Sequence, residues 1–149
     1  MAELGTLGTA VGVASLGIQV LSGLISYYLA YKDQYAIAQK IHQQVTTAYG
    51  LLSITREVLL SLSQEHGQVK AQVETLVVQC SSSVVELKAV LEQCNQASNQ
   101  AGQTSLKDQI QRRTQRATFP FRLESLQSVQ KNVGIVQQNL HLAINVLHL

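Results

Sequence analysis

A long uncharged segment at the start of the chain is the feature that most restricts its fold. Between Leu4 and Tyr31 the only ionisable side chains are those of tyrosines. As one helix this stretch would be about 42 Å long, more than the roughly 30 Å hydrocarbon core of a bilayer. Five glycines dilute its apolar content: Gly5, Gly8, Gly12, Gly17 and Gly23. Such a helix is apolar almost all round, so in a soluble protein we expect other helices to enclose it.

The rest of the chain predicts helices rather than strands, because proline occurs once and most glycines lie near the start. We expect a second helix over residues 33–62, a third over 66–97 and a last one from Phe121 onward. Residues 95–103 predict a loop, and a short basic helix should follow it and end before Pro120. The predicted fold is an all-α, up-and-down bundle of four long helices plus the short basic helix. It forms a single domain over residues 1–149, with the glycine-rich hydrophobic N-terminal helix central.

Two helices have regular apolar faces. In the second helix this face consists of Ala38, Ile41, Val45, Ala48, Leu52, Thr55, Leu59 and Leu62. In the last helix it consists of Leu126, Val129, Val133, Val136, Leu140, Ala143 and Leu147. The chain stops at Leu149 without a helix-capping signal, so we expect a fragment from the N-terminal part of a longer protein.

The two cysteines, Cys80 and Cys94, are predicted to be free thiols. They lie about 21 Å apart along one predicted helix, too far for a disulfide. Free cysteines are typical of a reducing compartment, so the predicted location is the cytoplasm.

The opening segment, residues 1–31, has the features of a membrane-active helix. Its small and polar residues share one stripe: Gly5, Gly8, Gly12, Ser15, Gln19, Ser22 and Ser26. The GxxxG pair in this stripe permits close helix packing in a bilayer or in a soluble bundle. The residues predicted to insert are Leu4, Leu7, Gly8, Val11, Gly12, Leu16, Ile18, Leu21, Leu24 and Ile25. Those predicted to anchor it at lipid headgroups are Tyr27, Tyr28, Tyr31 and Lys32, although the tyrosines would equally close the end of a bundle.

A basic cluster lies before and at the predicted start of the last helix, although the net charge of the chain is only +2. The cluster comprises Lys107, Arg112, Arg113, Arg116 and Arg122. It predicts binding to anionic membrane lipids, with a solvated basic helix as the alternative. No nucleic-acid partner is expected, because few aromatic side chains are interleaved for base stacking.

The sequence carries no motif that predicts catalysis. A phosphate-binding loop, paired catalytic carboxylates and a nucleophile elbow are all missing from it, and its histidines are scattered. We therefore predict neither an enzyme nor a cofactor or metal site.

Several segments are similar to those of one protein family. They are the opening Met-Ala-Glu, GVASLGIQVLSGLISYY at 12–28, YKDQ at 31–34, Arg116 with FPFR at 119–122, and Leu126-Gln127, Asn139-Leu140, Ala143 and Val146-Leu147. By these residues, over nearly its whole length, the chain resembles the HeLo-like domain. This is the N-terminal domain of many fungal NLR-type (STAND) receptors in programmed cell death and heterokaryon incompatibility.

The resemblance implies a membrane-targeting execution domain in innate immunity. A downstream nucleotide-binding and repeat region would drive self-association, after which residues 4–29 would insert into the membrane. The protein would move from the cytoplasm to the plasma membrane on activation. The family supplies no catalytic residues. Two alternatives stay open: a cytosolic helical signalling or oligomerisation module without lytic activity, and a permanent single-pass anchor.

Overall fold

The computed structural model describes residues 9–62, 64–102 and 123–147. These residues form α1 (Ala10–Leu29), α2 (Ala36–Ser61), α3 (Gly67–Val78), α4 (Ser81–Gly102) and α5 (Leu123–Leu147), with a 3-10 turn at Gln64–His66. No strand occurs among them. The prediction of an all-α helical bundle is confirmed.

Residue pairs between the helices establish the up-and-down topology. The short connection after α1 folds α2 back beside it, so that Leu52 packs over Gly17. α1 and α4 run parallel, since Gly17 faces Val84 and Gly23 faces Leu91 with nearly the same offset along the chain. α5 is antiparallel to α4, because Asn132 pairs with Glu86 whereas the later Asn139 pairs with the earlier Cys80. α5 packs against α2, α3 and α4. α3 and α4 together therefore take the place of the third of the four long helices in the predicted bundle.

The predicted third helix is interrupted, which corrects the expectation of one continuous helix over 66–97. α3 ends at Val78, and the Cys80 amide donates to the Val77 carbonyl at 3.0 Å, a tightened last turn. The Val84 amide then donates to the Cys80 carbonyl at 2.9 Å and starts α4. Three serines follow Cys80, and serine favours helix starts over helix interiors because its hydroxyl competes for backbone groups.

The loop predicted at 95–103 is wrong as well. α4 continues through this polar segment to Gly102, a residue type that commonly follows a helix end. Polar composition alone therefore did not mark the boundary, because polar residues occur in helices as well as in loops. The predicted short basic helix lies within residues 103–122, outside the described residues.

The predicted apolar faces of α2 and α5 form much of the core. In α2, every predicted inward residue from Ala38 to Leu59 is buried. One of these is Thr55, whose hydroxyl donates to the Leu51 carbonyl at 2.7 Å and so remains hydrogen-bonded. In α5, every predicted inward residue from Leu126 to Ala143 is buried too.

Sequence periodicity did not predict one buried polar side chain, Asn132, which is 2% exposed. Its amide nitrogen donates to Glu86 Oε2 at 2.7 Å and to the Ser128 carbonyl at 2.9 Å. The bond to Glu86 joins α5 to α4 at one fixed register, because a buried amide that lost its partner would carry a desolvation cost.

Candidate functional site

α1 has the length and composition of a membrane-spanning helix. Its 20 residues give a mean hydropathy of 1.6 in the best 18-residue window, and 44% of that window is buried. The helix is about 30 Å long, which matches the thickness of the hydrocarbon core. Core helices of soluble proteins meet the same criteria, so the way in which α1 packs decides what it can do.

Thr9 fixes the start of α1. Its hydroxyl oxygen accepts a hydrogen bond from the Gly12 amide at 3.0 Å, and its carbonyl accepts one from the Val13 amide at 2.9 Å. This N-cap satisfies amides that a helix end leaves without partners. The helix that the structure describes therefore begins at Ala10, and residues 4–8 of the predicted inserting segment lie outside the described residues.

The predicted inserting residues occupy different environments. Gly12, Leu21 and Leu24 are buried in the bundle. Leu16, Ile18 and Ile25 are partly buried and pack against the core. Val11 is 37% exposed. The other three, Leu4, Leu7 and Gly8, lie outside the described residues, so the GxxxG pair is described only at Gly12.

Two glycines of α1 form close contacts with neighbouring helices. A Cβ atom on Gly17 would lie 2.6 Å from Leu52 Cδ2 and 3.4 Å from Val84 Cγ2. A Cβ atom on Gly23 would lie 2.6 Å from Leu91 Cδ2. These leucines thus rest directly on the α1 backbone, where a larger residue would displace them. The glycine spacing could be read from the sequence, but the identity of the packing partners could not.

The predicted anchor tyrosines pack together around the carboxyl end of α1. The Tyr27 ring lies 5.1 Å from Tyr28 in an edge-to-face arrangement and 5.5 Å from Tyr31. Tyr28 is 1% exposed, whereas Tyr27, Tyr31 and Lys32 are only partly buried. In the folded bundle these rings therefore pack against each other and the core, and a role at lipid headgroups stays a prediction.

The thiol of Cys94 lies at the contact between α1 and α4. The Tyr27 hydroxyl and the Cys94 thiol form a hydrogen bond across this contact. Burial raises the pKa of Cys94, and burial raises the pKa of Cys80 to about 11. Both cysteines are free, as predicted. A thiol with a raised pKa reacts slowly, so Cys94 should stay unreactive while α1 covers it.

A polar arc faces water on the opposite side of α1. Gln19, Ser22 and Ser26 are exposed and Ser15 is partly exposed. The enclosure of α1 by α2, α3 and α4 is therefore incomplete, and the open side carries the polar residues of the predicted stripe. Gly12 of that stripe is buried, and Gly5 and Gly8 lie outside the described residues.

The predicted lipid-binding residues Lys107, Arg112, Arg113, Arg116 and Arg122 lie outside the described residues. Within the described ranges, no group of three or more His, Cys, Asp or Glu side chains is arranged to hold a metal ion.

Over the described residues the protein is an all-α helical bundle that contains an uncharged helix long enough to span a membrane. The chain is 34% identical over 150 residues to the azaphilone pigments biosynthesis cluster protein L of Monascus ruber. The match covers 99% of this chain and 31% of that protein, so the chain spans about a third of the length of its relative. No family model and no solved structure matches the chain.

Proposed function

We propose that the chain is a membrane-targeting execution domain of programmed cell death, of the HeLo-like type, which forms pores or otherwise disrupts membranes. Oligomerisation of a downstream NLR-type receptor region would activate it, and the domain would move from the cytoplasm to the plasma membrane. The observation that carries the proposal is α1, an uncharged helix of span length whose enclosure by the bundle is incomplete.

The energetics of α1 favour an exchange between bundle and bilayer. Its apolar side chains leave one apolar environment for another, so their transfer costs little, and no charged group has to be desolvated. One cost falls on the groove left behind, where Leu52, Val84 and Leu91 would meet water at about 25 cal/mol per Å². Self-association that covers this groove would offset the cost, which explains why oligomerisation would trigger insertion.

The basic cluster supports the choice of membrane. Its five cations, Lys107, Arg112, Arg113, Arg116 and Arg122, would each contribute about 1 kcal/mol near an anionic lipid surface. We therefore propose anionic lipids as the membrane partner, with Tyr27, Tyr31 and Lys32 settling at the headgroups after insertion.

A lysine on α1 should prevent leakage from anionic vesicles. Leu16 is only partly buried, so in Leu16→Lys the ammonium group can reach water from the folded bundle. Within a bilayer the same charge costs about 3 kcal/mol, which lowers insertion roughly 100-fold. At protein concentrations high enough for the chain to self-associate on the membrane, we expect dye release by the wild-type chain from phosphatidylserine vesicles and almost none by Leu16→Lys.

Gln39→Lys is the matched control. Gln39 is exposed on α2, so this variant gains the same charge without altering α1 and should leak like the wild type. Circular dichroism establishes that both variants are folded. Full leakage by a folded Leu16→Lys chain would contradict insertion of α1. Defined oligomers that never release dye would support the cytosolic oligomerisation module instead.

The reactivity of Cys94 should rise when α1 leaves the bundle. In a Cys80→Ser background Cys94 is the only thiol, and Tyr27 of α1 covers it. Departure of α1 exposes the thiol and returns its pKa toward the ordinary value, so maleimide labelling should accelerate roughly tenfold or more. The rate is measured by mass spectrometry with phosphatidylserine vesicles and, as the control, with phosphatidylcholine vesicles. Leakage without faster labelling would show that α1 stays packed on α4.

A further inference from the structure

The exposed polar arc of α1 leads to a further inference, which rests on the proposed membrane function. Ser15, Gln19, Ser22 and Ser26 follow one another at spacings of four, three and four. At about 100° per residue they fall within an arc of roughly 60° on the helix. All four side chains can form hydrogen bonds but carry no charge.

Burial divides α1 into two opposite faces. Val13, Leu21, Leu24 and Tyr28 are buried against the other helices, whereas the polar arc meets water. In the folded bundle, then, the hydrogen-bonding groups of α1 are hydrated. The arc is about 16 Å long from Ser15 to Ser26, roughly half of the hydrocarbon thickness.

Lipid cannot replace the water that hydrates this arc. A serine hydroxyl in a helix can donate to the carbonyl four residues earlier. The primary amide of Gln19 carries two donors and an acceptor, and leaving them unpaired in hydrocarbon is strongly unfavourable. Several α1 helices in a ring would turn these groups inward and keep them hydrated, while their apolar surfaces face lipid.

We propose that Ser15, Gln19, Ser22 and Ser26 line a water-filled pore formed by several copies of α1. The lining is neutral, so the pore passes small cations and anions alike. Because rings of charged side chains set the ion selectivity of a pore, a charge placed on the arc determines which ion passes.

Charge substitutions at Gln19 test this lining in planar anionic bilayers under a KCl gradient. Gln19 is exposed, so both variants should fold. The wild-type pore should show a cation-to-anion permeability ratio near one. Gln19→Glu should raise the ratio roughly tenfold, and Gln19→Lys should lower it by a similar factor. Gln39→Glu and Gln39→Lys, on α2, should leave the ratio unchanged.

The outcomes separate the pore lining from membrane insertion. Opposite shifts by the two Gln19 variants support the lining. Intact conductance with wild-type selectivity in both would overturn it and leave insertion standing. Loss of conductance in Gln19→Lys and Leu16→Lys alike, with a conducting wild type, would place Gln19 against lipid and also overturn the lining. No conductance from the wild-type chain would overturn both proposals.

Discussion

A disulfide between α1 and α4 should abolish vesicle leakage in the oxidised protein, and reduction should restore it. Gly23→Cys and Leu91→Cys form the pair, because a Cβ atom on Gly23 would lie 3.4 Å from Leu91 Cγ. The Cγ position of Leu91 is close to where the sulfur of a cysteine at this site would lie, so the two cysteine side chains are within reach of a disulfide. Cys80→Ser and Cys94→Ser remove the native thiols. The crosslink closes the bundle covalently, so no gain from lipid contact can release α1.

The single variant Gly23→Cys in the same background is the control for this experiment. It receives the same oxidant but has no partner thiol on α4, so it should release dye before and after oxidation. Dye release is measured from phosphatidylserine vesicles, and a gel without reductant establishes that each chain is monomeric. Rapid leakage by the fully crosslinked chain would show that membranes are disrupted without departure of α1.

The faces of α2 and α5 could be predicted because each helix packs with one side toward the core. In each helix the apolar residues lie three or four positions apart, as Ile41 and Val45 do in α2 and Val136 and Leu140 do in α5. The structure buries the residues that have this spacing. The break between α3 and α4 depends on a local competition between serine hydroxyls and backbone bonds, which an apolar period does not record. The helix over 95–102 was not predicted because polar residues are compatible with a helix as well as with a loop.

Some features of the candidate site could likewise be predicted from the sequence, and others could not. The lack of charge in α1 and its polar stripe both belong to one continuous segment, so they could be predicted from the sequence. The hydrogen bond between Tyr27 and Cys94 joins residues far apart in the chain, and only the parallel packing of α1 on α4 brings them together. Burial of Tyr28 likewise depends on which helices surround it, because aromatic side chains suit bundle ends and membrane interfaces equally.

Replacing Gly17 by leucine should strongly destabilise the bundle. The new Cβ atom would lie 2.6 Å from Leu52 Cδ2, and Leu52 is itself only 1% exposed, so it has little room to move. Overpacking of this kind costs about 3 kcal/mol, partly offset by the gain of about 1 kcal/mol from removing a helix glycine. We expect Gly17→Leu to lower the free energy of unfolding by about 2 kcal/mol in urea titrations followed by circular dichroism.

Gly134→Leu provides the comparison, because Gly134 is exposed in α5 and a Cβ atom there would have nothing within 4 Å. The same substitution should raise the free energy of unfolding by up to about 1 kcal/mol, the opposite sign. Adding Leu52→Ala to Gly17→Leu returns volume to the contact, so the double variant should be more stable than the sum of the single effects predicts. Strict additivity, or a Gly17→Leu chain as stable as the wild type, would mean that α1 does not rest on Leu52 in solution. The groove from which α1 is proposed to depart would then be a different one.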